Sequence, residues 1–454
     1  MGNLFGTDGV RGLANAELTP ELAFRLGRAG AYMLTKQEKA SNEAPRILVG
    51  KDSRLSGDML EAALTAGMCS IGAHVFHAGV LPTPAVAYLV RHYKMDAGVM
   101  ISASHNLMPD NGIKFFNSQG YKLPDAVEEE IEKLISDFEA GKDNLPRPTG
   151  ADVGTITSCK TAVEDFASYL TSIFSGLNLN GLKIALDCAN GATSQVAPMV
   201  FKQLGAQVQV LSNKPDGTNI NENCGSTHME NLQKFVKENS TDIGLAFDGD
   251  GDRMLAVCEK GGMIDGDKIL AICGLNLQAQ GKLNTIVATV MSNQGLEILC
   301  KEKGIKLHRT DVGDRYVLEK MLQDDLPLGG EQSGHIIFKK HSTTGDGILT
   351  GLHLLSVMVQ KNESISTLAG VMDTLPQVLI NATVPNDKKA TLHSHPVIQK
   401  AQAEIESNLA GAGRILVRPS GTEPLVRVMI EGRDIEQIRK WARDLADIIE
   451  KNIG

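Results

Sequence analysis

The chain has 454 residues, 42% of them hydrophobic and 22% charged, the balance of a folded globular protein of about three domains. A net charge of −9 argues against broad binding to nucleic acid or an anionic membrane, though not against one local basic pocket for a small anion. Seven cysteines without a C-x-x-C exclude a disulfide frame and a zinc pattern; no apolar run approaches the ~18 residues of a membrane span, and the first six residues show neither a signal peptide nor a myristoylation motif, so the cytoplasm is the expected compartment.

Gly6-Thr7-Asp8-Gly9-Val10-Arg11-Gly12 reads as a glycine-spaced loop holding one arginine, and it is no dinucleotide fingerprint because no strand precedes it. Thr19-Pro20-Glu21 begins a helix, with Thr as cap and Pro at the first position. A strand over 46–50 ends in the polar turn Lys51-Asp52-Ser53-Arg54. A helix over 57–72, a strand over 73–77 and a rigid Pro82-Thr83-Pro84 connection follow. The strand 97–101 empties into Ser102-Ala103-Ser104-His105-Asn106, the place where an open α/β sheet sets its ligand crevice. A hydroxyl there can carry a group, although Ser and Asn are also ordinary turn residues. Asp110-Asn111-Gly112 suggests a hairpin turn, and the strand 113–116 after it brings Lys114 back toward Ser104. A charged helix over 128–138 and a polar linker over 141–158 close this segment.

A second α/β unit runs through a helix at 161–174, strands at 183–187 and 207–211, and a helix at 196–204. Its strand 242–247 runs into Asp248-Gly249-Asp250-Gly251-Asp252-Arg253. A third unit has helices at 268–276, 295–303 and 345–359 and strands at 285–290, 306–309 and 336–338, the last preceded by the turn Gly329-Gly330-Glu331-Gln332-Ser333-Gly334-His335. The order apolar strand, small polar loop, helix recurs at 47–66, 184–204 and 286–303, which suggests three copies of one unit. The tail differs: strands at 379–384, 414–418 and 425–431, then a helix over 435–452 with Ile435, Ile438, Trp441, Leu445, Ile448 and Ile449 on one face, make a small α+β domain.

In the acidic loop, glycines let the chain turn tightly enough for three carboxylates to converge. Converging carboxylates repel one another unless a hard divalent cation sits among them, and Mg²⁺ suits a phosphate enzyme. The spacing also matches a calcium-binding EF-hand loop, with Glu259 at the twelfth position, but Arg253 stands where that loop needs Gly and both flanks read as strands. Arg253 beside the acids makes sense if a phosphate bridges cation and arginine, and Ser104 is a place for that phosphate. Arg418-Pro419-Ser420-Gly421-Thr422, with Arg427 beyond, has the forks, hydroxyls and bare backbone N–H groups of a second phosphate site. Glu331 and Ser333 offer an acceptor and a donor to sugar hydroxyls, or form a plain hairpin turn. Two phosphate sites and one transferable phosphate describe a mutase.

Four motifs, Ser102-Ala103-Ser104-His105-Asn106, Asp248–Arg253, Gly330-Glu331-Gln332-Ser333-Gly334-His335 and Arg418–Thr422, resemble in order the four loops of the α-D-phosphohexomutase family, across essentially the whole chain. The resemblance implies three similar α/β domains with mixed, mainly parallel sheets plus a C-terminal α+β domain around a central cleft, at 1–158, 159–260, 261–370 and 371–454. It implies Ser104 as the phosphoserine and one Mg²⁺ held by its phosphate with Asp248, Asp250 and Asp252. Arg11, His105, Lys114 and Arg253 match positions near the transferring phosphate, with Lys114 the first candidate for general acid/base and His105 the second. Glu331, Ser333 and His335 would contact the sugar, and Arg418, Ser420, Gly421, Thr422 and Arg427 its phosphate. The opening 5–12 segment and the Glu-Gln-Ser-Gly-His sugar loop are most similar to the bacterial branch acting on hexosamine phosphates. That branch implies conversion of glucosamine 6-phosphate to glucosamine 1-phosphate through glucosamine 1,6-bisphosphate, feeding UDP-N-acetylglucosamine and cell-wall precursors; a homodimer is compatible with it. The alternatives are a mutase of mannose or glucose phosphates, a metal-dependent sugar phosphatase and a non-catalytic sugar-phosphate binder. One departure stands out: the family has Pro directly after Ser-His-Asn, whereas Leu107-Met108-Pro109 follows here, which predicts a looser serine loop.

Overall fold

The computed structural model describes residues 4–6, 8–36, 44–420 and 423–454. It divides into two compact units, Met1–Met291 with Ile305–Val371, and Ser292–Gly304 with Met372–Gly454.

The first unit contains three sheets. The first sheet is built from β1 (Phe5–Gly6), β2 (Gly9–Leu13), β3 (Arg46–Lys51), β4 (His74–Val80), β5 (Ala97–Ile101), β6 (Asp110–Asn117) and β7 (Ile156–Ser158), in the order β1-β2-β6-β5-β3-β4-β7. β5, β3, β4 and β7 run parallel, while β6, β2 and β1 continue the sheet antiparallel. Every residue of β5 is buried, as expected of a strand covered on both faces. Helices Pro20–Lys36 and Ser56–Cys69 bury Leu26, Leu60 and Leu64 against Ile47, Val49 and Val99 in one apolar cluster.

Several local expectations need correction here. The 6–12 segment is a hairpin, not a loop: Phe5 pairs Val10, and β2 then pairs β6. Asn111-Gly112 is no turn but part of β6, opposite Gly12 and Arg11, and the reversal from β5 falls in 102–109 instead. Pro82-Thr83-Pro84 opens the helix Thr83–His92, because proline fits a first helical turn whose N–H groups lack intrahelical partners. The presumed linker contains β7, an exposed edge strand paired to β4.

The second sheet comprises β8 (Lys183–Asp187), β9 (Gln207–Leu211), β10 (Ile243–Phe247), β11 (Met254–Cys258) and β12 (Met263–Ile264), ordered β12-β11-β10-β8-β9. The third comprises β13 (Thr285–Thr289), β14 (Lys306–Thr310), β15 (Leu328–Gly330) and β16 (Ile336–Phe338), ordered β14-β13-β15-β16. One plan recurs. β3 and β4, β8 and β9, and β13 and β14 are parallel neighbours with a helix between them in sequence. β5, β10 and β15 lie parallel to the first strand of each pair and then fold back into antiparallel β6, β11 and β16. The serine, acidic and sugar motifs are those three reversals, all at carboxyl ends of parallel strands.

The second unit is an antiparallel sheet of β17 (Gln377–Thr383), β18 (Arg414–Pro419) and β19 (Leu425–Glu431), with β19 in the centre, and helices Pro396–Leu409 and Ile435–Ile453. Ile438, Leu445 and Ile449 face its core, whereas Ile435 is 36% exposed and drops out of the expected stripe. Helix Gln294–Lys303 belongs to this unit. Asn293 caps it and binds the backbone of Leu375, and Glu431 accepts from Gln294 N at 2.8 Å and from Arg414 Nε at 2.7 Å. Among the described residues no helix is long and apolar enough to cross a membrane.

Candidate active site

The serine loop leaves β5 with Ser102 and Ser104 both buried and Ser104 in the left-handed region at φ 53°. Its Oγ donates to Asp248 Oδ2 at 2.6 Å, so the two strongest sequence motifs meet. Carboxylate oxygens of Asp248, Asp250 and Asp252 lie within 4.8 Å of one another, all three residues buried. Glycine is required at two points of this loop: Gly251 adopts φ 69°, and a Cβ on Gly249 would meet Ser104 O at 2.6 Å.

The electrostatics of the acid cluster are unbalanced. Burial pushes the Asp248 carboxyl well above the ordinary range, and the charges of Asp250 and Asp252 push it further. Asp252 is raised by burial and by Asp250. Burial acts the same way on Asp250, but the Lys114 ammonium and the Thr83 hydroxyl outweigh it and hold that carboxyl low. Asp250 Oδ1 and Asp252 Oδ1 are buried with no hydrogen-bond partner. Buried anionic oxygens that repel one another and lack donors fit a hard divalent cation. The EF-hand reading does not hold: β10 and β11 pair antiparallel on either side, and Glu259 accepts from Ser366 N at 3.2 Å instead of joining the acids.

Lys114 is buried on β6, with Nζ 2.9 Å from both Asp250 Oδ2 and Asp8 Oδ2. Burial alone would lower its pKa, but Asp250 and Asp8 raise it, so it carries a firmly held proton. His105 Nδ1 lies 3.4 Å from Ser104 Oγ and 3.4 Å from Arg253 Nη1. Burial, with the charges of Arg253 and Arg11, lowers its pKa to about 4, which leaves a neutral ring beside the serine. Arg11 pairs with Asp8 and reaches Ala103 O at 3.4 Å.

A cavity of about 540 Å³ opens onto these groups. Arg11, His105, Arg253, Asp314, Glu331 and His335 are among the residues that line it. Ser333 Oγ donates to Glu331 Oε2 at 3.4 Å. His335 is nearly buried, and its Nε2 accepts from Gly345 N at 3.1 Å, which leaves Nδ1 without a partner. In the C-terminal unit Arg418 and Arg427 face each other across β18 and β19, and Ser420 Oγ accepts from Glu423 N at 3.2 Å. Gly421 and Thr422 lie outside the described residues. Reading the sequence missed Asp8, Thr83 and the Asp8–Lys122–Asp314 chain, in which Lys122 Nζ is 2.6 Å from Asp8 Oδ1. Asp8 stands in the glycine-spaced 6–12 segment, which drew attention through Arg11, and Asp314 is the first residue of the helix Asp314–Gln323.

A fold of three α/β repeats and a small α+β unit, with a serine hydroxyl set into an acid cluster, defines a class. The chain belongs to the phosphoglucomutase/phosphomannomutase family: alpha/beta/alpha domains I, II and III match residues 2–141, 164–262 and 265–375, and the C-terminal domain matches 379–448. Within it, the chain is 58% identical to a phosphoglucosamine mutase of Acetivibrio thermocellus, with all of both chains covered. Its fold is similar to that of a phosphoglucomutase/phosphomannomutase family protein from Burkholderia thailandensis, at a TM-score of 0.82 and 24% identity over 99% of this chain and 98% of that one. It is also similar to Aspergillus fumigatus N-acetylphosphoglucosamine mutase in complex with GlcNAc-6P and magnesium, at a TM-score of 0.68 and 17% identity over 99% and 95% of the two chains.

Proposed function

We propose that this chain interconverts glucosamine 6-phosphate and glucosamine 1-phosphate, with Ser104 as the phosphoryl carrier and glucosamine 1,6-bisphosphate as the intermediate. The observation that carries the chemistry is the 2.6 Å contact between Ser104 Oγ and Asp248 inside the buried acid cluster. Identity of 58% over the full length to a phosphoglucosamine mutase supports the choice of sugar.

A sugar hydroxyl attacks phosphorus of the Ser104 phosphate in line, a new P–O bond forms and the P–Oγ bond breaks. The hydroxyl proton passes to His105, whose neutral ring stands within reach of Ser104 Oγ, and from there to that oxygen. After the bisphosphate turns, Oγ attacks the other phosphate and the proton returns to the departing sugar oxygen. His105 takes precedence over Lys114 as acceptor because Lys114 already holds its proton between Asp250 and Asp8. Lys114, Arg11 and Arg253 instead offset charge on the moving phosphoryl group. Asp248, Asp250, Asp252 and the serine phosphate would hold one Mg²⁺, which when bound draws electron density from phosphorus. Glu331, Ser333 and His335 orient the sugar, and Arg418, Ser420 and Arg427 form a phosphate-binding group in their own unit. The four segments 1–158, 159–260, 261–370 and 371–454 are the domains in this reading. A cytoplasmic setting and a homodimer complete it.

Steady-state kinetics on glucosamine, glucose and mannose 6-phosphates test the reading. The expected result is the highest kcat/KM for glucosamine 6-phosphate; a preference for glucose or mannose phosphate would transfer the chain to a sister activity, and steady phosphate release to water would make it a phosphatase.

A further inference from the structure

The turn after β3 has no part in the mechanism above, yet it holds the buried pair Asp52 and Arg54. A guanidinium has five N–H bonds to give, and Arg54 uses all of them. Nε donates to Asp52 Oδ2 at 2.9 Å. Nη2 donates to Ser104 O at 3.1 Å and Asn106 O at 2.7 Å, and Nη1 to Leu107 O and to Asp110 O at 3.0 Å. Three backbone carbonyls of the serine loop and one at the start of β6 thus converge on one side chain. Asp52 in turn accepts from Ser102 Oγ at 2.6 Å, and that oxygen accepts from Ser104 N at 2.9 Å. Both peptide groups flanking the Ser104 Cα are therefore tied to the same ion pair. Asn221, from the neighbouring repeat, adds bonds of 2.9 Å to Ser104 O and Asn106 O.

We propose that Arg54 is a positioning residue for phosphoryl transfer: it locks the serine loop by its carbonyls, so that Ser104 Oγ keeps one place and the sugar does the moving. The lock also answers the missing proline. Leu107 is 54% exposed and carries no rigid ring, but its carbonyl is held by Arg54, so the loop is fixed from within and the expected looseness does not follow. Ser104 sits at positive φ, where a non-glycine residue stays only if its surroundings hold it. Lysine cannot substitute, since its three donors radiate from one point and lack the planar fork.

The proposal rests on the mutase reading, and the test keeps the two apart. Kinetics on glucosamine 6-phosphate would be run with full-length, Mg²⁺-supplied wild type, Arg54→Lys, Arg54→Ala and Ser102→Ala, with circular dichroism and thermal unfolding on the same samples. Turnover by wild type secures the reading, so the variants judge the lock alone. In folded Arg54→Lys we expect kcat to fall on the order of 100-fold, as for a misplaced reacting atom, with KM within about threefold. Ser102→Ala, which removes the hydroxyl linking Ser104 N to Asp52 and leaves the Arg54 fork in place, is expected to lower kcat about tenfold with the same KM. Should neither Arg54 variant fold, Ser102→Ala decides. A folded Arg54→Lys or a Ser102→Ala with wild-type kcat, or a loss carried by KM, overturns the proposal.

Discussion

The Ser104 loop and the Arg418–Arg427 loop both reverse the chain between antiparallel strands, yet they are held in opposite ways. Around Ser104 the protein gives its donors to the loop's own backbone, through Arg54, Asn221 and the Ser102–Asp52 relay. Around Arg418 the cations stay available. Arg418 and Arg427 stand opposite each other, a like-charge pairing that is unfavourable by itself. Burial and the charge of Arg427 lower the pKa of Arg418. Arg427 is partly offset by Glu423 at 3.1 Å, and Lys389 steadies the loop by donating to Ser420 O. A nucleophile must be in one place, whereas a phosphate-binding loop needs charge that a ligand will neutralise. The comparison therefore predicts that damage near Ser104 falls on kcat and damage near Arg418 falls on KM.

The largest effect should come from Ser104→Ala, with isomerisation lost by at least about a thousandfold, read by coupled assay. Next, Asp250→Asn or removal of divalent cations with a chelator should cost on the order of 100- to 1,000-fold in kcat, and added Mg²⁺ should restore the chelated wild type but not the variant. Arg418→Ala should raise KM about tenfold and leave kcat within about threefold; a loss confined to kcat would erase the contrast between the two loops. The smallest effect concerns His105. Its folded pKa of about 4 lies below the ordinary 6.5, so on acidification the unfolded chain takes up this proton first. Its contribution to stability is full above pH 6.5 and is lost as pH falls through about 4. Ring titration by NMR on dephosphorylated, cation-free protein should give a midpoint near 4 and not near 6.5.

The serine and acidic loops were legible because each ends a fully buried apolar strand abruptly in small polar or charged residues. The repeat was legible because β3 and β4, and β8 and β9, carry the same strand-loop-helix pattern. The role of Arg54 was hidden because four of its five bonds go to backbone carbonyls, which leave no mark on side-chain spacing. Asp8, Lys122 and Asp314 were hidden because they come from distant segments and gain meaning only from one another's charge. The helix Thr83–His92 was masked by two prolines that a first turn accommodates. Asn111-Gly112 misled because pairing with β2 overrode a strong local turn signal.

The central claim is that the phosphoryl group passes through Ser104. Incubation with glucosamine 1,6-bisphosphate labelled in its phosphates, followed by peptide mapping, tests it most directly. The account predicts one labelled site, on the peptide containing Ser104, chased completely by unlabelled glucosamine 6-phosphate. Label on another residue, or label on Ser104 that the sugar phosphate fails to remove, would contradict it.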